Sequence, residues 1–275
     1  MELNSVSCIC FSPTGTTRAI VENIAKGLGV AEIAMNDFTQ RSGRAGQELG
    51  ITEDLVVIAA PVYYGRLPEE AVPFLKRLDG RNIPAVLVVV YGNREYDDAL
   101  LELKDIAEER GFVPVAGGAF IGEHSYSLTS RPIAADRPDG QDREAARRFG
   151  VNIREKLKDT DALDTLAPLS VPGNFPYLVP ERLHMLKEIR KQIPFTPETD
   201  TKLCIGCGIC AEVCPTGAVD PEDVTRIDRW NCLICFACVK SCPEGAKDLT
   251  DPNFNQAIGE LAQACQARKE PETFF

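Results

Sequence analysis

Eight cysteines of this chain fall in two short runs that repeat one another. Cys204, Cys207, Cys210, Cys214, Pro215, Gly217 and Ala218 recur 28 positions later as Cys232, Cys235, Cys238, Cys242, Pro243, Gly245 and Ala246, so one small unit has been duplicated. Each run reads C-x2-C-x2-C-x3-C-P. Three thiols at this spacing can wrap one face of a compact body in a tight loop. The fourth, at the start of a helical turn, points away from them. Pro215 and Pro243 lack an amide hydrogen and fix φ, which sets the backbone direction just after a ligand.

This run is the one associated with 4Fe–4S clusters, with the fourth cysteine serving the other cluster of a pair. On that swapped scheme one cluster takes Cys204, Cys207, Cys210 and Cys242, and the other takes Cys232, Cys235, Cys238 and Cys214. Structural zinc is the competing reading, since eight thiolates could close two tetrahedral sites. Zinc sites pair two C-x2-C hooks across a longer interval and have no use for a third hook or a Cys-Pro. Residues 200–248 closely resemble a two-cluster bacterial-type ferredoxin, and that resemblance implies low-potential one-electron transfer.

The chain has 11 cysteines in all. Cys8 and Cys10 share one face of an expected strand, and Cys265 lies on an apolar helical stripe with Phe254, Ile258 and Leu261, so all three are expected to pack as small hydrophobes. The opening residues lack the basic and apolar segments of a signal peptide, so a reducing, cytoplasmic setting is expected. The longest apolar run, Ile83 to Tyr91, is too short to cross a bilayer, and no membrane insertion is expected. Thirty basic against 41 acidic residues give a net charge of −11, which repels nucleic acid and anionic lipid.

At 275 residues the chain is longer than one core usually serves. From residue 5 to about 158, apolar runs alternate with helical patterns, the mark of βαβ units around a parallel sheet. Strands are expected at Val6 to Phe11, Val30 to Met35, Leu55 to Ala60, Ala85 to Tyr91 and Phe112 to Ile121. Helices are expected at Thr16 to Gly27, about Glu70 to Leu78, Asp97 to Arg110 and Gln141 to Lys158. Pro73 fits the second only in its first turn. The expected division is 1–165 for this α/β domain, 166–197 for a Pro-rich connector with one helical island at Glu181 to Gln192, 198–250 for the cysteine domain, and 251–275 for a terminal helix and tail.

Ser12-Pro13-Thr14-Gly15-Thr16-Thr17 links the first strand to the first helix. Hydroxyls and free amides at a helix N-terminus form an anion site, and Gly15 lets the backbone approach a phosphate. The loop is neither a Walker loop nor G-x-G-x-x-G. At the same sheet edge, the third strand ends in Pro61-Val62-Tyr63-Tyr64-Gly65-Arg66 and the fourth in Tyr91-Gly92-Asn93-Arg94-Glu95-Tyr96-Asp97. Four of six tyrosines thus lie where a flat ring would sit between the first and third strands. Residues 3 to about 158 resemble the flavodoxin family, with Ser12, Thr14, Gly15, Thr16 and Thr17 matching its phosphate motif S/T-x-T-G-x-T. The resemblance implies non-covalent FMN on a flavodoxin-like doubly wound five-stranded parallel sheet of order 2-1-3-4-5, beside a small α+β 2[4Fe–4S] ferredoxin-like domain. Trp230 lies outside that domain, so stacking falls to a tyrosine, with Tyr63, Tyr64, Tyr91 and Tyr96 all open. Arg66 and Arg94 are either flavin-facing charges or solvated ones. His124, after the fifth strand, is a candidate proton donor to flavin or substrate; a plain surface histidine is the alternative.

Nearly the whole chain is similar to the flavodoxin–ferredoxin fusion proteins of anaerobes, including residues 61–68, 91–96, 122–127 and 268–272. This resemblance implies electron passage between FMN and two clusters, one electron at a time on one side and in pairs on the other, for a partner such as a ferredoxin or an oxidoreductase. The terminal helix is expected to cover the junction, and the acidic surface to dock on a basic patch. Two alternatives stand: an FMN-dependent reductase of a small molecule such as a quinone, which needs an open pocket by His124 and Tyr126, and a redox sensor without turnover. No dinucleotide fingerprint is visible, and oligomeric state is left open.

Overall fold

A computed structural model of the chain describes residues 1–44, 50–160, 162–178, 181, 185, 188 and 195–275. Five apolar runs form parallel strands, β1 (Ser5–Cys10), β2 (Glu32–Asp37), β3 (Leu55–Pro61), β4 (Pro84–Tyr91) and β5 (Val113–Ile121), in the order 2-1-3-4-5. All of β3 and β4 is buried, as uninterrupted Val, Ile, Leu and Ala runs require of a sheet covered on both faces. Helices α1 (Thr16–Leu28) and α5 (Gly140–Lys158) pack on one face over Cys8, Cys10, Val57 and Val88. One-turn helices α2 (Arg41–Arg44) and α3 (Val72–Leu75), with α4 (Ala99–Glu109), precede α5, and α3 and α4 serve the other face. The doubly wound sheet expected from the sequence is thus present. The helix expected over 70–78 shrinks to α3, because Pro73 falls in its first turn.

The sheet has a sixth strand that the sequence did not suggest. Strands β6 (Glu198–Thr199) and β7 (Lys247–Asp248) pair with each other and close the base of the cysteine domain; β8 (Glu272–Phe274) runs antiparallel to β5 at Gly117–Ala119. Three residues, two of them polar, are too few for a period to show.

Within the cysteine domain lie the one-turn helices α6 (Ile209–Glu212) and α7 (Ala237–Lys240). The terminal helix α8 (Pro252–Ala264) is capped by Asp251, whose carboxylate accepts from the Phe254 amide at 2.8 Å. Its stripe of Ile258, Leu261 and Cys265 covers Ile133, while Phe254 reaches Tyr126 and Phe236. The connector lies along α4, where buried Asp98 accepts from the amides of Asn174 and Leu178, and the Tyr177 hydroxyl meets Asp105 at 2.6 Å. Most of the island expected at 181–192, His184 included, lies outside the described residues; Glu181, Met185 and Glu188 are helical. No helix among the described residues is long and apolar enough to cross a membrane.

Candidate functional site

The two cysteine runs fold into one compact unit with two gatherings of thiols. Cys204, Cys207, Cys210 and Cys242 line a single cavity, together with Ile205, Val224 and Lys247. Cys235 lies within electrostatic reach of Cys238, Cys232 and Cys214, which form the second gathering. The amides of Ala218 and Ala246 each donate to the fourth sulfur of their run, Cys214 and Cys242, at 3.2 Å. Each amide directly follows the Gly of a Cys-Pro-x-Gly turn, so the duplicated sequence delivers the same contact twice.

These surroundings fit clusters. Four thiols spaced around a cavity suit a larger body. Burial pushes the Cys238 thiol up to about 12. The Lys247 ammonium is also buried in this region, donating to the Thr199 hydroxyl at 2.7 Å and the Val224 carbonyl at 2.5 Å. Cys8 and Cys10 are fully buried with thiols raised to about 12 by desolvation, and Cys265 is buried too; all three pack as expected.

At the phosphate loop, Gly15 begins α1 at φ 82° without a side-chain cap. The Ser12 hydroxyl accepts from the Arg18 amide at 3.0 Å. Thr17 is 1% exposed, and its hydroxyl has no protein partner among the described residues. A buried hydroxyl without a protein partner at a helix start fits a bound phosphate. Thr14 and Thr16 flank it, both half-buried.

The β3 loop turns tightly: Tyr63 and Arg66 exchange backbone hydrogen bonds at 2.9 and 3.0 Å, with Tyr64 at φ 55° and Gly65 at φ 77°. A Cβ on Gly65 would lie 2.4 Å from the Asp97 carboxylate, so this position excludes side chains. Arg66 is committed elsewhere, forming a two-pronged pair with Glu102 at 2.9 and 2.7 Å and covering the Tyr177 ring at 4.1 Å. Neither sequence reading of Arg66 included these partners. Pro61 ends β3, and Val62 and Tyr63 pack on the sheet core.

The β4 loop is held by the tail. Asn93 is 4% exposed; its amide donates to the carbonyls of Cys265 and Ala267 at 2.8 and 2.9 Å, and its own carbonyl accepts from the Lys269 amide at 3.2 Å. Arg94 pairs with Asp97, and the Tyr96 hydroxyl donates to Glu272 at 3.0 Å. Tyr91 and Tyr96 are buried with rings 5.5 Å apart. Tyr63 packs against the same core, while Tyr64, at φ 55°, sits in the turn before Gly65. Sequence reasoning missed the tail's part, although Arg268 and Lys269 were conspicuous. Arg268 reaches Asp139 at 2.7 Å and Asp142 at 3.4 Å, and Asp142 in turn holds the buried Arg137.

His124 lies over Gly92, where a Cβ would come within 2.3 Å of the imidazole Cδ2. Its Nδ1 accepts from the Tyr126 amide at 3.0 Å, so the neutral ring carries its hydrogen on Nε2. Burial foremost, then Lys240 and Arg94, lowers its pKa to about 4. Near neutral pH such a ring donates a hydrogen bond and releases no proton.

Both loop systems meet the cysteine domain here. Tyr63 packs on the buried core that contains Cys235, within electrostatic reach of Cys235 and Tyr126, and burial raises its phenol well above the ordinary range. Leu233, Cys235 and Ala237 belong to the same buried core as β3 and β4. Tyr126 meets Phe236 edge-on at 5.0 Å and Phe254 at 5.1 Å; Lys240 pairs with Glu123 at 2.9 Å, and Arg44 donates to the Pro215 carbonyl.

Residues 203–246 match the family model of the 4Fe-4S dicluster domain. The chain joins a flavodoxin-like domain to a 4Fe–4S domain. Similar solved structures include a flavodoxin from the domain Archaea, at 16% identity and TM-score 0.41, covering 56% of this chain and 99% of that one. Oxidised flavodoxin 2 from Bacillus cereus shows 18% identity and TM-score 0.41 over 55% of this chain and 99% of its own. The fold assignment rests on the strand order, not on these likenesses. No curated protein matches the chain.

Proposed function

We propose that this chain is an electron carrier linking two 4Fe–4S clusters to FMN, so that a partner redox protein giving or taking single electrons is coupled to a two-electron centre. One observation carries this reading: Cys235 and its neighbours are buried against Tyr63 and Tyr126, at the loops where a flavin ring would lie. When bound, FMN takes one or two electrons and each cluster takes one.

The chain's own residues do the rest. Cys204, Cys207, Cys210 and Cys242 hold one cluster; Cys214, Cys232, Cys235 and Cys238 hold the other. Ser12, Thr14, Gly15, Thr16 and Thr17 hold the phosphate. Pro61, Val62, Tyr63, Tyr64 and Gly65 shape one wall of the flavin site, and Tyr91, Gly92, Asn93, Arg94, Tyr96 and Asp97 the other, mostly by backbone. His124 offers Nε2–H and keeps water from Gly92. The proposed divisions are 1–165, 166–197, 198–250 and 251–275, in a reducing compartment.

A small-molecule reductase needs room beside His124 and Tyr126. That room is taken by Phe236 and Phe254, which favours the carrier. The test is anaerobic purification with iron, sulfide and flavin quantification, followed by rapid mixing with reduced ferredoxin. Iron, sulfide and flavin present together, with the flavin reduced through the clusters, is the expected result; a colourless or zinc-bearing protein would end the proposal.

A further inference from the structure

The duplication is unequal in a way that assigns the two sites different work. In the first run Gly206 and Gly208 adopt φ of 69° and 81°, and a Cβ on either would meet nothing within 4 Å. Their counterparts 28 positions on are Ile234 and Phe236, which keep the left-handed backbone at φ 50° and 60°. Bulky L-residues resist that conformation by about 1–2 kcal/mol. Here Ile234 and Phe236 are 3% and 1% exposed. Burying two such side chains contributes about 1.5–3 kcal/mol each, which offsets the strain. The first run makes the opposite choice and stays open: Cys207 is exposed, and Leu203 and Ile205 are 50% and 66% exposed on the loop that carries it.

Resting on the carrier reading above, we infer that the site of Cys214, Cys232, Cys235 and Cys238 exchanges electrons with the flavin, while the site of Cys204, Cys207, Cys210 and Cys242 is the outer port, where a redox protein with a basic collar docks on Leu203 and Ile205. The inner assignment follows from Cys235 lying in the buried core on which Tyr63 packs, and from Phe236 against Tyr126. The choice of partner follows from charge. Around the two exposed apolar side chains, Glu222 and Asp223 line the groove beside Cys204, and Glu244 lines the cavity itself. Buried Lys247 is not available to a docking protein. An apolar centre with a carboxylate rim complements a lysine-ringed contact surface. Glycine at 206 and 208 removes the side chains that would hold such a surface away from the thiolates.

Each transfer moves one electron. An oxidised haem partner gains one from the outer site and becomes ferrous; the outer site regains it from the inner site, and the inner site from the reduced flavin. Two rounds remove the flavin's pair, and its protons go to solvent.

The probe is ferric cytochrome c, a one-electron acceptor with a lysine-rich face, titrated calorimetrically into the intact holoprotein at low and raised salt. The double variant Leu203→Ser, Ile205→Ser should weaken binding about tenfold. Phe175→Ser, which alters an 82%-exposed side chain on the connector, should leave binding within twofold. Cofactor content of every variant is measured first, so that loss of iron or flavin counts against the carrier reading and not the port. In freeze-quenched mixtures of reduced protein and cytochrome c, cluster signals should decay before flavin absorbance returns. Equal binding by both variants, or flavin oxidised ahead of the clusters, would overturn the assignment.

Discussion

Thr17 shows how a single hydroxyl can carry a site. It is buried without a protein partner among the described residues, which native structures rarely tolerate unless a ligand supplies one. Thr17→Val keeps the shape and removes the donor, so FMN affinity should fall by about 1.5–3 kcal/mol while apoprotein stability holds or rises; flavin fluorescence titration and thermal melting separate the two. His124 gives a second residue-scale outcome. Folded, it titrates near 4 against an ordinary 6.5, because burial and then Lys240 and Arg94 disfavour the imidazolium. As pH falls below 6.5 the unfolded chain takes up this proton before the folded one does. The neutral ring's contribution to stability is therefore complete above pH 6.5 and is lost towards pH 4, by at most about 3 kcal/mol. Its proton resonance should stay constant from pH 8 to 5.5, and a midpoint near 6.5 would contradict the buried placement. The phosphate loop was legible as residues because its chemistry is local. The commitment of Arg66 to Glu102 was not, since the partners are 36 positions apart.

Among the elements, the tail has the largest effect for its size. β8 extends the sheet, and Arg268 with Lys269 locks the β4 loop through Asp142, Asp139 and Asn93. Asp142 is fully buried, so Asp142→Asn leaves Arg137 and part of Arg268 without their charge partner. That should destabilise the fold by about 3–5 kcal/mol in denaturant unfolding of the flavodoxin-like domain. Asn93→Ala should instead raise the flavin dissociation constant with a smaller loss of stability, because Asn93 joins the loop to the tail at three backbone positions. The strands of the parallel sheet were readable from apolar runs, which two-sided burial forces on them. β8 was not, because three residues become a strand only when an edge is waiting for them.

For the whole molecule, the cysteine domain has little apolar core of its own: small clusters around Phe236, Leu249 and Val219, with the rest of its burial against the flavodoxin-like domain and α8. Stripping iron under anaerobic conditions should therefore abolish amide protection across 200–248 while β1, β3 and β4 keep theirs, as hydrogen exchange read by mass spectrometry would show. Retained protection across 200–248 would mean that packing alone holds that domain. The cysteine spacing, the phosphate motif and the strand pattern follow from sequence alone, because ligand wrapping, helix starts and sheet burial impose short periods on neighbouring residues. Which thiols lie against the flavodoxin-like domain, which partners the loop tyrosines take, and what the tail holds were decided only in three dimensions. Those outcomes depend on surfaces brought together from segments more than a hundred residues apart, and no local rule encodes the packing of Tyr63 and Cys235 into one core or the bond of Asn93 to Lys269.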